Sequence, residues 1–161
     1  MTAHGITPVL MGAENGQTAI VRLLLRHRAD PNKARTDDGT TPLLVAVAEG
    51  HLEVAELLMQ HGANVNKSLT ENGTTPLFVA AEGGNVEIAR ALLRNGAAPD
   101  QAKTDTGSTP LMVAAEAGHL DVATLLLESG ATSSLPRLNG TTPLFIAAQE
   151  GHDAVVELLL E

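Results

Sequence analysis

Six histidines and nineteen carboxylates are the side chains of this sequence best suited to ligate a metal or move a proton. His51, His119 and His152 recur at one position of a repeating pattern, and an evenly spaced row of imidazoles could be a metal-binding strip. Spacing argues against it. Helices stacked side by side lie about 8 to 10 Å apart, whereas one Zn²⁺ requires its nitrogen ligands about 2 Å away. His4, His27 and His61 have no metal-ligand spacing either. Among the carboxylates, Glu14, Glu82 and Glu116 form one column with Gln149, and Glu49 and Glu150 stand in the column beside it. General acid-base chemistry needs two carboxyl groups in different environments, one of them apolar enough to raise its pKa. Nothing in the sequence supplies such a pocket, so the columns read as a solvated face or as an acidic contact strip. No Gly-Lys-Ser/Thr phosphate loop and no Gly-x-Ser-x-Gly nucleophile turn occurs. Cysteine is absent, which removes disulfides, thiolate metal sites and a thiol nucleophile. The expectation is a protein that is not an enzyme and takes no cofactor or metal.

The elements that position these residues must come from 161 residues with 43% hydrophobic content, enough for a core. The net charge is −9, with two Phe, no Trp and no Tyr. An acidic surface without stacking aromatics is a poor partner for phosphate backbones, single-stranded bases or anionic lipid, so neither nucleic acid nor membrane is expected. No apolar run approaches a membrane span. Met1 to Asn15 lacks the basic start and continuous apolar stretch of a signal peptide, which makes the cytoplasm the expected compartment, with the nucleus as alternative. Under that expectation Asn66-Lys67-Ser68, Asn72-Gly73-Thr74 and Asn139-Gly140-Thr141 are turn chemistry rather than glycosylation sites.

Self-similarity organises the whole chain. Thr-Pro pairs at Thr7, Thr41, Thr75, Thr109 and Thr142 are spaced 34, 34, 34 and 33 residues apart. The expected organisation is one domain over residues 1–161, with repeats 5–38, 39–72, 73–106, 107–139 and 140–161. In each, the Thr hydroxyl can cap a helix whose first residue is Pro, and a glycine nine residues beyond the Thr closes it. A second helix follows with apolar residues at i, i+3 and i+4: Ile20, Leu23, Leu24; Val54, Leu57, Leu58; Ile88, Ala91, Leu92; Val122, Leu125, Leu126; Val155, Leu158, Leu159. Gly62, Gly96 and Gly130 supply the left-handed residue that ends it. Arg28 stands there in the first repeat and predicts a strained or altered helix end. Asp38-Gly39, Asn72-Gly73 and Asn139-Gly140 suit projecting β-hairpins between repeats.

Thr75-Pro76-Leu77 with Ala80-Ala81, Gly118-His119, and Leu57-Leu58 with Gly62-Ala63-Asn64-Val65-Asn66 reproduce successive signatures, in phase along the chain. On these motifs the sequence resembles the ankyrin-repeat family over about its whole length. The resemblance implies an all-α solenoid of stacked helix-turn-helix units with projecting β-hairpin loops, and it implies that His51, His119 and His152 hydrogen-bond turn backbone beside a glycine. Two departures stand out. Leu10, Leu44, Phe78, Met112 and Phe145 occupy the place where the family usually has His, so apolar packing replaces a polar tie. The first three links also carry one extra residue, which predicts longer loop tips there than in Ser133 to Asn139.

The resemblance further implies a non-catalytic interaction scaffold that binds a protein through a concave groove of hairpin tips and first-helix ends. Carried over by position, the tip residues are Arg35, Asp37 and Asp38; Leu69, Glu71 and Asn72; Lys103, Asp105 and Thr106; then Arg137, Leu138 and Asn139. The first-helix ends contribute Glu14, Glu49, Glu82, Glu116, Gln149 and Glu150. Charge runs from net positive in the first repeat to four carboxylates and no base in the last, so a partner presenting basic groups is expected. Leu69, Leu138 and Arg137 are the candidate anchors. Leu58 with Asn66 eight residues on is similar to an ankyrin segment modified by an asparaginyl hydroxylase, which implies Asn66 as a hydroxylation position. The last helix, Ala154 to Glu161, and the first, with Val9, Leu10 and Met11, both read as internal ones. The expectation is a piece of a longer array; the alternatives are ends that stack on another copy in place of a monomer, or an engineered consensus scaffold.

Overall fold

The computed structural model describes residues 5–161 and contains ten α-helices and no β-strand among them. They come in pairs, one pair per repeat: α1 Pro8–Glu14 and α2 Thr18–Arg26, α3 Pro42–Ala48 and α4 Leu52–Gln60, α5 Pro76–Glu82 and α6 Val86–Arg94, α7 Pro110–Ala117 and α8 Leu120–Glu128, α9 Pro143–Glu150 and α10 Asp153–Leu160. His4 lies outside the described residues.

Each first helix begins as its sequence dictates. Thr7, Thr41, Thr75, Thr109 and Thr142 hold extended backbone, and each hydroxyl accepts the amide three residues on, from Leu10, Leu44, Phe78, Met112 and Phe145 at 3.1 to 3.3 Å. Such a cap stabilises a helix by about 1 kcal/mol. That matters here because helices of seven to nine residues are too short to persist alone. Their stability comes from packing. First helices stack on first helices, α1 on α3 and onward to α9; second helices stack likewise from α2 to α10. A continuous apolar layer runs between the two rows, with Leu43, Leu58, Leu77, Leu92, Leu111 and Leu126 all but fully buried.

Polar ties join repeat to repeat beside this core. His51, His119 and His152 each donate from Nε2 to a carbonyl at the end of the preceding first helix: Glu14 at 3.2 Å, Glu82 at 3.1 Å and Glu116 at 3.0 Å. Each ring lies against Gly16, Gly84 or Gly118, where an added Cβ would approach it to 2.8 Å or less. The third repeat has Asn85 at this position. Asn32 bridges the next repeat by donating to the Gly62 carbonyl at 2.8 Å and accepting from the Asn64 amide at 2.7 Å. Asn66 does the same with Gly96 and Ala98.

The structure revises two expectations. The links form no β-strand among the described residues: each is closed by a backbone bond from the amide of Arg35, Leu69, Lys103 or Arg137 to the carbonyl of Thr40, Thr74, Ser108 or Thr141, and the last three gain a second bond inside the loop. Polar side chains take over the remaining loop amides, as when Asn72 and Asn139 accept from the amides of Thr74 and Thr141. Arg28 is held, as expected, in a strained conformation at φ 63, the one positive φ among described residues other than glycine, while the hydrogen bonding that ends α2 is the usual one. The Ala29 amide reaches the Leu24 carbonyl at 3.1 Å, as Ala63 reaches Leu58 at 3.0 Å. The apolar stripe is also incomplete at the first repeat, where Ile20 and Leu23 are exposed because no described repeat precedes them. The extra loop residue behaves as expected. Gly73 and Gly107 donate four residues back to Leu69 and Lys103, whereas Gly140 donates three residues back to Arg137.

Candidate functional site

The loop tips and the C-terminal ends of the first helices form a face whose residues differ from repeat to repeat. Backbone bonds set the stacking of its loops: Thr70 donates to the Asp38 carbonyl at 3.0 Å, Thr104 to Asn72 at 2.8 Å and Leu138 to Thr106 at 3.0 Å. The tips are therefore held in fixed order, one per repeat.

In the three tips that carry a basic group, that group is engaged by the chain's own carboxylates. Arg35 donates from Nε and a terminal nitrogen to the two Asp37 oxygens, at 3.1 and 2.7 Å, and lies 3.7 Å from Asp38. Its hydrogen bonds hold the Asp37 carboxyl at about 2, well below the usual value, against the opposing effect of desolvation. Lys103 reaches Asp105 at 3.5 Å and lies over the Phe78 ring, 5.5 Å from its centroid. Arg137 forms an ion pair with Glu116. Glu71 and Thr106 are exposed, and Leu69, Asn72 and Asp38 are half-buried.

Each repeat contributes one carboxylate to the row of helix ends: Glu14, Glu49, Glu82, Glu116 and Glu150, all exposed. The structure brings these onto consecutive first helices, as their columns suggested. Gln149 turns its amide to the Glu150 carboxylate at 2.8 Å. Glu116 is set apart by Arg137, and the pairing also removes Arg137 as a free anchor. Among the described residues, Glu14, Glu49, Glu82 and Glu150 take part in no ion pair. Leu138 projects from its tip with 76% of its surface exposed.

Phe145 is a residue the sequence places wrongly. The positions in register with it, Leu44, Phe78 and Met112, are buried, while Phe145 is 59% exposed. Its repeat-mates are covered by a following repeat; α9 has a first-helix neighbour only in α7. Asn66 sits in the seam between repeats, with both ends of its carboxamide bonded. No described helix is long and apolar enough to cross a membrane.

Short capped helix pairs, stacked in register and tied by loops on one side, define an all-α repeat solenoid. The family model for ankyrin repeats matches in three copies, over residues 1–68, 66–136 and 102–161, and the chain belongs to the ankyrin-repeat family. A search of curated proteins finds no match. Ankyrin repeats generally mediate protein-protein interaction, and proteins built from them are typically non-catalytic scaffolds.

Proposed function

We propose that the chain is a non-catalytic interaction scaffold whose loop-tip and first-helix face receives a protein segment presenting basic groups. The observation behind this reading is an imbalance of charge. Arg35, Lys103 and Arg137 are each neutralised within the chain, while four of the five repeats present an exposed carboxylate, Glu14, Glu49, Glu82 or Glu150, that takes part in no ion pair among the described residues. The helices bearing these carboxylates stack side by side, about 8 to 10 Å per step for packed helices. An extended chain advances about 3.3 Å per residue, so Lys or Arg at every third position keeps step with the row. A polyproline-type segment meets the same condition, since its three-residue turn returns side chains to one side about every 9 Å.

The test is fluorescence anisotropy with a labelled peptide carrying Arg at every third residue and a second peptide of the same composition with its arginines clustered. The regular peptide binds more tightly, and its affinity falls as salt rises. Changing Glu82 and Glu150 to Lys reduces binding at least tenfold. Equal affinity of the two peptides refutes the register, and unchanged binding by the charge-reversed chain refutes the acidic face as the site.

A further inference from the structure

Arg137 differs from the other tip bases in where its charge goes. Arg35 is taken by Asp37, two residues on, at 3.1 and 2.7 Å, and Lys103 by Asp105, two residues on, at 3.5 Å. Both carboxylates belong to the tip itself. The Asp37 hydrogen bonds raise the Arg35 pKa most, and Glu14 adds to this least, from the end of α1. The fourth loop is one residue shorter, and the residue it lacks is the one that carries this carboxylate. Asn139 directly precedes Gly140, in register with Asp38 before Gly39 and Thr106 before Gly107. Its side chain is a neutral carboxamide that accepts the Thr141 amide at 3.0 Å. With no acid in its own loop, Arg137 turns back to α7 and pairs with Glu116, 21 residues earlier. The guanidinium is packed in place: the Arg137 side chain is 21% exposed, against 46% for Glu116. On the two preceding first helices Glu49 and Glu82 take part in no ion pair among the described residues.

We propose that Arg137 sets the sequence pattern of the partner: basic residues facing Glu14, Glu49 and Glu82, a neutral residue facing Glu116, and a basic residue again facing Glu150. The inference rests on the loop-tip and first-helix face being the binding face. A base brought to Glu116 meets a carboxylate whose charge Arg137 already balances. It gains little attraction there, and it must share the carboxylate with a packed guanidinium or displace it. A neutral residue at that step gives up nothing. Arg137 is thus a specificity-determining residue that turns a run of equivalent carboxylates into an interrupted one. Because the interruption is off centre, it fixes both where along the row a basic segment sits and which way it points.

Fluorescence anisotropy at low salt tests it, with a labelled peptide of five arginines, one at every third residue. Each arginine in turn is replaced by citrulline, which keeps the shape and removes the charge. On the wild-type chain four of the replacements weaken binding about two- to fivefold, the worth of one exposed ion pair. Replacement of the fourth arginine, counted from one end, changes affinity by less than about 1.5-fold. Arg137→Gln frees Glu116, and the fourth position then costs as much as the others. Leu69 holds the same tip position without a base, so the loop does not need one, and circular dichroism verifies that the variant folds. Lys103→Gln removes a tip charge without touching Glu116, and the fourth position stays indifferent. Equal losses at all five positions on the wild-type chain overturn the proposal and leave the acidic face standing. So does a fourth position that stays indifferent in Arg137→Gln, or one that gains weight in Lys103→Gln. A regular peptide that does not bind at all overturns the acidic face and this inference together.

Discussion

Replacing Arg28 by glycine should stabilise the first repeat, and the magnitude follows from the local geometry. Arg28 holds φ 63 at the end of α2, where the later repeats have Gly62, Gly96 and Gly130 at φ 85, 87 and 89. For a residue with a Cβ the left-handed conformation costs about 1 to 2 kcal/mol. Glycine removes that strain but gives the unfolded chain more freedom, which returns about 0.4 to 1 kcal/mol. The Arg28 side chain is exposed and forms no ion pair among the described residues, so little packing or charge pairing is lost. Its proximity to the negative end of α2 contributes at most a few tenths of a kcal/mol on an exposed surface. The net expectation is about 0.5 to 1 kcal/mol of added stability, or about 1 to 4 °C in Tm for a chain of this size. Thermal melts and amide exchange of the Ala29 amide, which bonds the Leu24 carbonyl, read the effect directly. Arg28→Ala is the control: it removes the same charge, keeps the Cβ and should show no gain. If Arg28→Gly melts below wild type, or if Arg28→Ala gains as much, backbone strain at this helix end is not the operative factor.

Other predictions follow from the ties between repeats and from the loop charges. Asn85→His should add the bond that the third repeat lacks, from Nε2 to the carbonyl of Ala48, which is in register with Glu14, Glu82 and Glu116. Gly50, the glycine such a ring would cover, has nothing within 4 Å of its Cβ direction, so the ring has room. The expected gain is about 0.5 to 1.5 kcal/mol in urea unfolding, and no change would mean the histidine ties are incidental. Asp37 should titrate at about 2 by NMR, and Arg35→Ala should return it towards 3.8. Because the folded-state pKa is depressed, the stability linked to this pair is fully present above the unfolded-state value. It is lost as pH falls from about 3.8 through about 2. An Asp37 that titrates normally in the wild-type chain would refute the pairing in solution.

What could be read in advance was whatever a residue decides from its near neighbours. Thr-Pro starts a helix because the hydroxyl and the missing proline N–H act within one turn, and the caps at Thr7, Thr41, Thr75, Thr109 and Thr142 form accordingly. The histidine ties were legible in kind, as bonds to turn backbone, although their acceptors lie on the preceding repeat. The loops were read less well. Asn-Gly favours a hairpin turn locally, but Thr-Pro starts a helix directly beyond the closing bond, so the pairing extends no further and no strand forms among the described residues. Among the candidate contact residues the positions were legible and the states were not. Arg137 and Glu116 are 21 residues apart in sequence and meet only because α7 lies beside the following loop.

The sequence by itself determined the repeat, the helix starts and stops, the apolar stripes and the surplus of acidic residues, since each depends on residue type and short-range spacing. Tertiary structure decided which of two equivalent residues is covered. Phe78 and Phe145 follow the same residues, Asn-Gly-Thr-Thr-Pro-Leu, and one is 6% exposed and the other 59%, because burial depends on whether a further repeat lies against the helix. The same reason separates Leu57 from Leu23 and places the chain's unsatisfied apolar surface at the two ends of the stack.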